Sequence, residues 1–246
     1  MPDEIGPHEL ATIVRQRIAE AADPAKAPSM QAYMKSEMPY RGVTAQPLGR
    51  LLKEAYAEWT LPDEQSWHEA VLLLWDEAEF REERYAATTL AGHRLYREHQ
   101  QPHTLELYRH LVETGAWWDH VDGIATHLVR DILVVHRDDL TPMMREWAVD
   151  DDLWIRRTAV ICQVGLKDRL DQRLLADVID ANLDGSTRTT PPKSPYGREF
   201  FIRKAVGWAL RDHFRTDPDW VLAYVDERGA RLSGLSRREA LKHNVG

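Results

Sequence analysis

Helical periodicity runs through the chain almost from end to end, and it constrains the possible fold more than any other feature of the sequence. In HELATIVRQRIAEAA the apolar residues Leu10, Ile13, Val14 and Ile18 share one helical face, and LGRLLKEAYAEW continues the same spacing. Further helices are predicted at about 81–98, 103–114, 117–136, 142–149, 152–167 and 170–183. Because no stretch alternates apolar and polar residues over a useful length, we predict an all-α protein.

The number and length of these helices suggest how they are arranged. About a dozen helices with short links favour an α-α superhelix of HEAT-like helical hairpins, which buries a continuous core and curves around a concave face. Because no clean repeat period is visible, a compact orthogonal bundle is the alternative. We predict a single HEAT-like repeat domain over residues 1–246, with a Pro-rich loop inserted at about 184–198. Loops of that length are either mobile or functional.

Three helix starts carry local signals. Pro62–Asp63 precede an apolar run and predict a helix start there. Thr141 before Pro142 predicts an N-cap followed by proline at the first helical position. The stretch Ser236–Glu239, SRRE, predicts a capping box that opens a last helix.

Composition excludes several classes of protein. Cys162 is the only cysteine, which excludes intrachain disulfides, four-cysteine zinc sites and iron–sulfur clusters. Its apolar surroundings predict packing rather than nucleophilic chemistry. No apolar run approaches the roughly 18 residues of a membrane span, and the first residues lack a signal-peptide core, so we expect a cytoplasmic protein with no membrane partner. Scattered histidines and the absence of cofactor motifs lead us to expect no metal and no cofactor.

The charge of the chain is unevenly distributed. The net charge is −8, which by itself argues against a nucleic-acid partner. Residues 1–150, however, carry a net charge of −11, and residues 151–246 a net charge of +3. The C-terminal part of the chain could therefore face an anion.

The stretch AWWDHVDGIATHLV contains two tryptophans and two aspartates. On a helix Trp118 and Asp122 are four residues apart and share a face. Asp119 points elsewhere and fits an acidic residue of a first helical turn, and Trp117 fits ordinary packing. Asp122 is therefore the unusual residue, because an aspartate on an apolar face needs a partner or a function.

Two further helices place polar or aromatic residues where a core would not choose them. Arg157 lies in the apolar stripe of DDLWIRRTAVICQVGL. It either pairs with a buried carboxylate, for which Asp122 is a candidate, or reaches into a groove. Trp208 lies off the main stripe of REFFIRKAVGWALRDHF, beside Lys204, and either packs on a neighbouring helix or lines an open cleft.

These residue types suit one kind of chemistry. A carboxylate flanked by aromatic faces can stabilise a developing cation, and an arginine can hold a phosphate. A deoxyribose in DNA develops positive charge as it loses its base, and it lies next to a phosphate. The residues alone leave open a second interpretation, a helical scaffold in which the tryptophans are all core.

The ordered series of motifs resembles the AlkD-type DNA alkylation-repair glycosylases, a family built of HEAT-like repeats. The matching stretches are AYMKSEMPYRGV (32–43), LWDEAEFREERYAA (74–87), AWWDHVDGIATHLV, DDLWIRRTAVICQVGLK (151–167), EFFIRKAVGWALRDHFRTDPDWVLAYV (199–225) and LSRREALKH (235–243). Each stretch alone is weak, whereas the series in this order is specific.

The resemblance implies excision of cationic N3- and N7-alkylated purines from double-stranded DNA, gripped in a concave face, without a pocket that encloses the base. It implies that Asp122 is the catalytic carboxylate and that Trp118 and Trp208 lie against the sugar–phosphate backbone. The DNA-contacting residues that it implies are Arg157, Tyr33, Lys204 and Arg203. We expect a bacterial-type, nucleoid-associated monomer.

Two features depart from the family pattern. The 184–198 loop is longer than the resemblance implies, and GVTAQPLGR carries a single basic residue, Arg50, where more would be expected. The alternative is therefore a non-catalytic HEAT-like module that binds damaged or branched DNA or a protein partner.

Overall fold

The computed structural model describes residues 3–194 and 196–242, and these residues are mainly helical. They contain fourteen α-helices and two strands of two residues each, β1 (Asp3–Glu4) and β2 (Trp59–Thr60), which pair in parallel. The prediction of an all-α fold is confirmed. Pro195 of the proline-rich stretch and His243 of the last motif lie outside the described residues.

The chain divides into two compact units, Met1–His99 and Gln100–Gly246. The first unit contains both strands and five helices: α1 (Pro7–Glu20), α2 (Ala27–Met34), α3 (Ala45–Glu58), α4 (Glu64–Asp76) and α5 (Arg81–Ala91). Helices α1, α3, α4 and α5 pack on one another. Their buried faces carry large side chains such as Leu52, Trp67 and Trp75, each at most 1% exposed. The helix predicted at 81–98 ends at Ala91, before Gly92, and the chain continues as the 3₁₀ turn Arg94–His99.

The second unit contains nine α-helices among its described residues. They are α6 (Leu105–Gly115), α7 (Trp118–Gly123), α8 (Arg130–Val135), α9 (Arg137–Trp147), α10 (Leu153–Ile161), α11 (Gln172–Asp180), α12 (Phe200–Phe214), α13 (Pro218–Arg228) and α14 (Gly234–Ala240). Short 3₁₀ turns lie at Pro102–Thr104, Lys167–Arg169 and Gly229–Arg231. No helix of the described residues in either unit is both long enough and apolar enough to span a bilayer.

Helix α10 lies at the centre of the second unit and packs against α6, α7, α9, α11 and α12. Every residue from Trp154 to Ile161 is buried, including Arg156 and Arg157. The sequence pattern predicts a single apolar stripe on this helix. That prediction is wrong, because neighbouring helices cover α10 on all sides. Two buried arginines must therefore find acceptors within the protein.

The prediction for the start of α4 is confirmed, since Asp63 is its N-cap and accepts a hydrogen bond from the Ser66 backbone nitrogen at 2.8 Å. The other two predicted starts are wrong. Helix α9 begins at Arg137, so Thr141 and Pro142 lie inside it. The acidic pair Asp138–Asp139 occupies its first turn, where the helix dipole favours negative charge.

The last helix begins one turn before the predicted capping box. Ser233 is the N-cap of α14, and its hydroxyl accepts a hydrogen bond from the Ser236 backbone nitrogen at 3.0 Å. Ser236 instead donates from its hydroxyl to the backbone carbonyl of Arg203 at 2.9 Å, which ties α14 to α12.

The helix predicted at 117–136 is present with an internal irregularity. Helix α7 continues through a π-helical stretch, Ile124–Val129, into α8 without leaving the right-handed helical region. Within this stretch the Thr126 hydroxyl donates to the backbone carbonyl of Asp122 at 2.7 Å. Such π-helical turns occur frequently at functional sites.

Ala116 connects α6 to α7 with a left-handed backbone conformation, φ 38° and ψ 34°. A side chain with a Cβ is strained in this region, and glycine is not. We expect Ala116→Gly to raise the free energy of unfolding by about 0.5–1 kcal/mol, measured by urea denaturation. Ala181 is the matched control, because it ends α11 in the right-handed region and glycine there should destabilise the protein. Equal signs for the two variants would contradict this explanation.

Helices α12 and α14 approach each other closely at Gly207. A Cβ built there would lie 2.5 Å from Cβ of Glu239 and 3.0 Å from the Ser236 carbonyl oxygen. We therefore expect Gly207→Ala to destabilise the protein by about 1–3 kcal/mol in urea denaturation. Gly49, within α3, has nothing within 4 Å of a built Cβ, so Gly49→Ala should stabilise the protein instead. A tolerated alanine at 207 would show that α14 can move away from α12 at no cost.

Candidate active site

Helix α7 positions the two residues that the sequence singled out. Trp117 is its N-cap, with extended backbone angles φ −151° and ψ 148°, and Trp118 is the first helical residue. Asp119 lies in the first turn, as predicted, and Asp122 follows Trp118 by one turn. Both Trp118 and Asp122 are partly exposed, and about 20% of the Asp122 side chain remains accessible.

Arg157 of α10 holds the Asp122 carboxylate with two hydrogen bonds. Its Nε donates to Oδ1 at 2.7 Å and its Nη2 donates to Oδ2 at 2.8 Å. The remaining nitrogen, Nη1, donates to the backbone carbonyl of Phe201 at 2.6 Å. Of the two possibilities that the sequence left open for Arg157, pairing with Asp122 is the arrangement present. The planar guanidinium fixes the orientation of the carboxylate and links α7, α10 and α12.

A cluster of aromatic rings includes Phe201, whose ring lies beside Arg157. The Phe201 ring lies 4.8 Å from that of Trp154 and 5.5 Å from that of Trp117, between centroids. The Arg157 guanidinium lies 5.9 Å from the Phe201 centroid. Trp117 packs within this cluster, which confirms its predicted role. Arg157 itself is only 5% exposed.

Burial raises the pKa of the Asp122 carboxyl above its ordinary value. The hydrogen bonds and positive charge of Arg157 act in the opposite direction, while the nearby Asp119 carboxylate raises the pKa further. A carboxylate with a raised pKa is a stronger base than a solvated aspartate and can accept a proton more readily.

The residues predicted on α12 differ in their surroundings. Trp208 is half-buried and packs against the apolar core of the second unit. Lys204 forms an ion pair with Glu239 of α14, at 2.8 Å from its Nζ to Oε1. Arg203 is partly exposed, with a buried Nε that has no hydrogen-bond partner among the described residues. Lys204 therefore carries a compensated charge.

Tyr33 belongs to the first unit, on α2, and its side chain is 75% exposed. The ion pair of Asp122 and Arg157 lies in the second unit. Within the second unit, the hydrogen bonds of Arg157 bring Asp122 and Phe201, in the first turn of α12, together.

Other chemistry has little support in the described residues. Cys162 is completely buried, and burial raises the pKa of its thiol to about 12, so it is a packing residue. The described part of the chain contains no group of three or more His, Cys, Asp or Glu side chains that could hold a metal ion.

Phe201 and Trp154 were missed as members of the site, although both lie in the quoted motifs. The backbone carbonyl of Phe201 accepts a hydrogen bond from Arg157. Every residue type has a backbone carbonyl, so the sequence cannot show this contact. Trp154 follows the N-cap Asp152, which accepts hydrogen bonds from two backbone nitrogens, at 2.7 and 2.9 Å. An N-cap at Asp152 marks the start of α10 and so places Trp154 in its first turn.

Comparison with protein families adds to this geometry. A family model described as DNA alkylation repair enzyme matches residues 14–243. The chain belongs to this family. Its membership confirms the resemblance to DNA alkylation-repair proteins. No functionally curated protein matches the chain in sequence.

Two solved structures are similar to this member of the DNA alkylation repair enzyme family. A predicted DNA alkylation repair enzyme from Enterococcus faecalis is 28% identical, with a TM-score of 0.74 over 91% of this chain and 97% of its own. The alkylpurine DNA glycosylase AlkC of Pseudomonas fluorescens, bound to DNA containing an abasic site analog, is 16% identical. Its TM-score is 0.50, over 97% of this chain and 62% of its own, which shows a shared fold.

Proposed function

We propose that the protein is a monofunctional DNA glycosylase that hydrolyses the N-glycosidic bond of cationic N3- and N7-alkylated purines in double-stranded DNA. The observation that carries the proposal is the Asp122 carboxylate, fixed by Arg157 at two oxygens yet partly exposed beside Trp118. Membership of the DNA alkylation repair enzyme family supports it. A shared fold with an alkylpurine DNA glycosylase adds support. We also propose that the helical hairpins are HEAT-like repeats of the AlkD type.

The reaction needs little from the protein, because an N-alkylated purine already carries a positive charge. The bond between C1′ and the purine nitrogen breaks, and its electron pair neutralises the departing base. The sugar becomes an oxocarbenium-like cation, which the Asp122 carboxylate stabilises by its negative charge. Water adds to C1′ and gives up a proton, for which Asp122 is the acceptor. The products are a free neutral alkylpurine and an abasic site.

Partial exposure of Asp122 is consistent with catalysis, because a catalytic carboxylate must reach the substrate. About one fifth of this side chain is accessible. Arg157 is nearly covered and has no free nitrogen for a phosphate. We therefore propose that Arg157 is a positioning residue that acts through Asp122, rather than a contact to the DNA backbone.

The aromatic and basic residues complete the proposal. Trp118, one turn before Asp122, and Trp208 place ring faces against the sugar–phosphate backbone. The electronegative ring faces stabilise the positive charge that develops on the sugar. Tyr33 and Arg203 contact the DNA backbone without sequence preference, and Lys204 does so by exchanging its Glu239 partner for a phosphate.

Formation of abasic sites tests the proposal. A methylated duplex with one labelled strand is incubated with the protein and then treated with alkali, which cleaves abasic sites. We expect alkali-dependent cleavage at purines above that of the protein-free methylated duplex, and intact strands without alkali because a monofunctional glycosylase leaves the phosphodiester uncut. Tight binding to the methylated duplex without cleavage would favour the non-catalytic module instead.

The pKa of Asp122 predicts the pH dependence of the reaction. The ionised carboxylate is the active form, so the rate should fall as the pH drops through the pKa of this group. Because burial and Asp119 raise that pKa, we expect the midpoint of the fall above the ordinary aspartate value of about 3.9. Single-turnover release of 7-methylguanine between pH 4 and 8, corrected for enzyme-free release, measures it. A rate that stays constant down to pH 4 would contradict the assignment.

A further inference from the structure

Residues 184–199, here called the proline-rich loop, are held at their base by specific contacts. Gly185, with φ +74°, and Gly197 approach so closely that a Cβ at Gly185 would lie 3.2 Å from the Gly197 Cα. Asp151 accepts hydrogen bonds from the hydroxyls of Thr187 and Thr189 at 2.6 and 2.8 Å. The base of the loop is therefore fixed to the rest of the second unit.

The side chains beyond this base face solvent and combine aromatic with positive character. Tyr196 is 41% exposed and Phe200, the first residue of α12, is 54% exposed. Lys193 and Arg198 are exposed and form no ion pair with any described residue. Because no carboxylate of the described residues pairs with them, these two cations are available to an external anion.

This surface is directly connected to the candidate active site. The Phe200 ring contacts the Phe201 ring edge to face, with centroids 5.4 Å apart. The Phe201 carbonyl accepts the hydrogen bond from Arg157, which in turn holds Asp122. Phe200 is thus an exposed member of the aromatic cluster that contains Phe201.

We propose that Lys193, Tyr196, Arg198 and Phe200 bind an unpaired nucleotide of DNA that is distorted beside the damaged site. This inference rests on the proposed glycosylase function. Exposed rings stack on bases of any sequence, and adjacent cations bind the phosphates that accompany them. In an intact duplex the base faces are covered by their neighbours, so stacking requires a nucleotide that has left the helix. Two exposed rings with cations beside them in the sequence, Lys193 and Arg198, match the bases and phosphates of a nucleotide.

Binding to a duplex with one unpaired central nucleotide, compared with the same duplex fully paired, tests the proposal. Fluorescence anisotropy at one fixed salt concentration should show that the wild type prefers the duplex with the unpaired nucleotide. The double variant Tyr196→Ala/Phe200→Ala should lose at least about ten-fold in affinity for that duplex and keep its affinity for the paired one. The matched control, Val135→Ala/Leu222→Ala, removes two other exposed apolar side chains of the same unit and should change neither affinity.

The cations have a separate measurement. In Lys193→Ala/Arg198→Ala the slope of log affinity against log salt concentration should become shallower by roughly 1.4–1.8. Arg169→Ala/Arg173→Ala removes two other exposed cations that form no ion pair among the described residues, and should leave the slope unchanged. An unchanged preference in the aromatic variant, or no preference in the wild type, overturns the inference. Alkylpurine release measured on the same preparations separates this outcome from a failure of the proposed function.

Discussion

Asp122→Asn is expected to lower the single-turnover rate of 7-methylguanine release by roughly 10²–10³-fold, with DNA affinity changed only a few-fold. Asparagine keeps the size and shape of aspartate and can still accept a hydrogen bond from Arg157. It lacks the negative charge that stabilises the sugar cation in the proposed mechanism, and it cannot take a proton from water. Release is measured by quantifying free base from a methylated duplex with protein in excess, and affinity by anisotropy on the unmethylated duplex.

Asp119→Asn is the matched control for this prediction. It removes the same charge three residues earlier on α7, from the first helical turn. Since the Asp119 charge raises the pKa of Asp122, its removal should shift the acidic limb of the pH profile to lower pH while release continues. Equal rates for Asp122→Asn and the wild type would refute the catalytic role of Asp122.

Arg157→Ala is expected to destabilise the protein by about 3 kcal/mol or more and to slow base release as well. The substitution leaves the mostly buried Asp122 carboxylate without its two hydrogen bonds and the Phe201 carbonyl without its donor. Loss of the positive charge removes the interaction that lowers the pKa of Asp122, so the acidic limb should move to higher pH. Urea denaturation and the pH profile of single-turnover release measure the two effects.

Arg157→Lys separates the loss of charge from the loss of geometry. Lysine keeps the positive charge but cannot bind both carboxylate oxygens and the Phe201 carbonyl in one plane. We expect this variant to fold, to release base more slowly than the wild type, and to shift the acidic limb less than alanine does. In either variant the salt dependence of DNA binding should match that of the wild type. A slope shallower by about 0.9 would restore Arg157 to the backbone contact implied by the family resemblance.

The part of the site that follows from helical spacing could be predicted from the sequence. Four residues separate Trp118 from Asp122, and this spacing alone places them on one face of α7. The roles of Trp117 and Asp119 followed from the same geometry. Spacing could not decide between the two roles of Arg157, because its partner lies 35 residues away on another helix.

Contacts through the backbone and local exceptions to the helical pattern could not be predicted from the sequence. The Phe201 carbonyl would accept the hydrogen bond from Arg157 whatever side chain residue 201 carried, so this contact cannot be predicted from the residue type. Pro142 lies inside α9 although proline favours a first turn, since Asp138 and Asp139 start the helix earlier. The π-helical stretch after Asp122 has no distinguishing pattern either, because its apolar residues fit an ordinary helix.

Mass spectrometry of the bases released from a methylated duplex is the decisive measurement. We expect free 7-methylguanine and 3-methyladenine in amounts that grow with protein concentration, with no unmodified guanine or adenine. The selectivity follows because only a base that is already cationic can leave without a general acid. Release of methylated bases at the rate of the protein-free duplex would contradict the proposed glycosylase function.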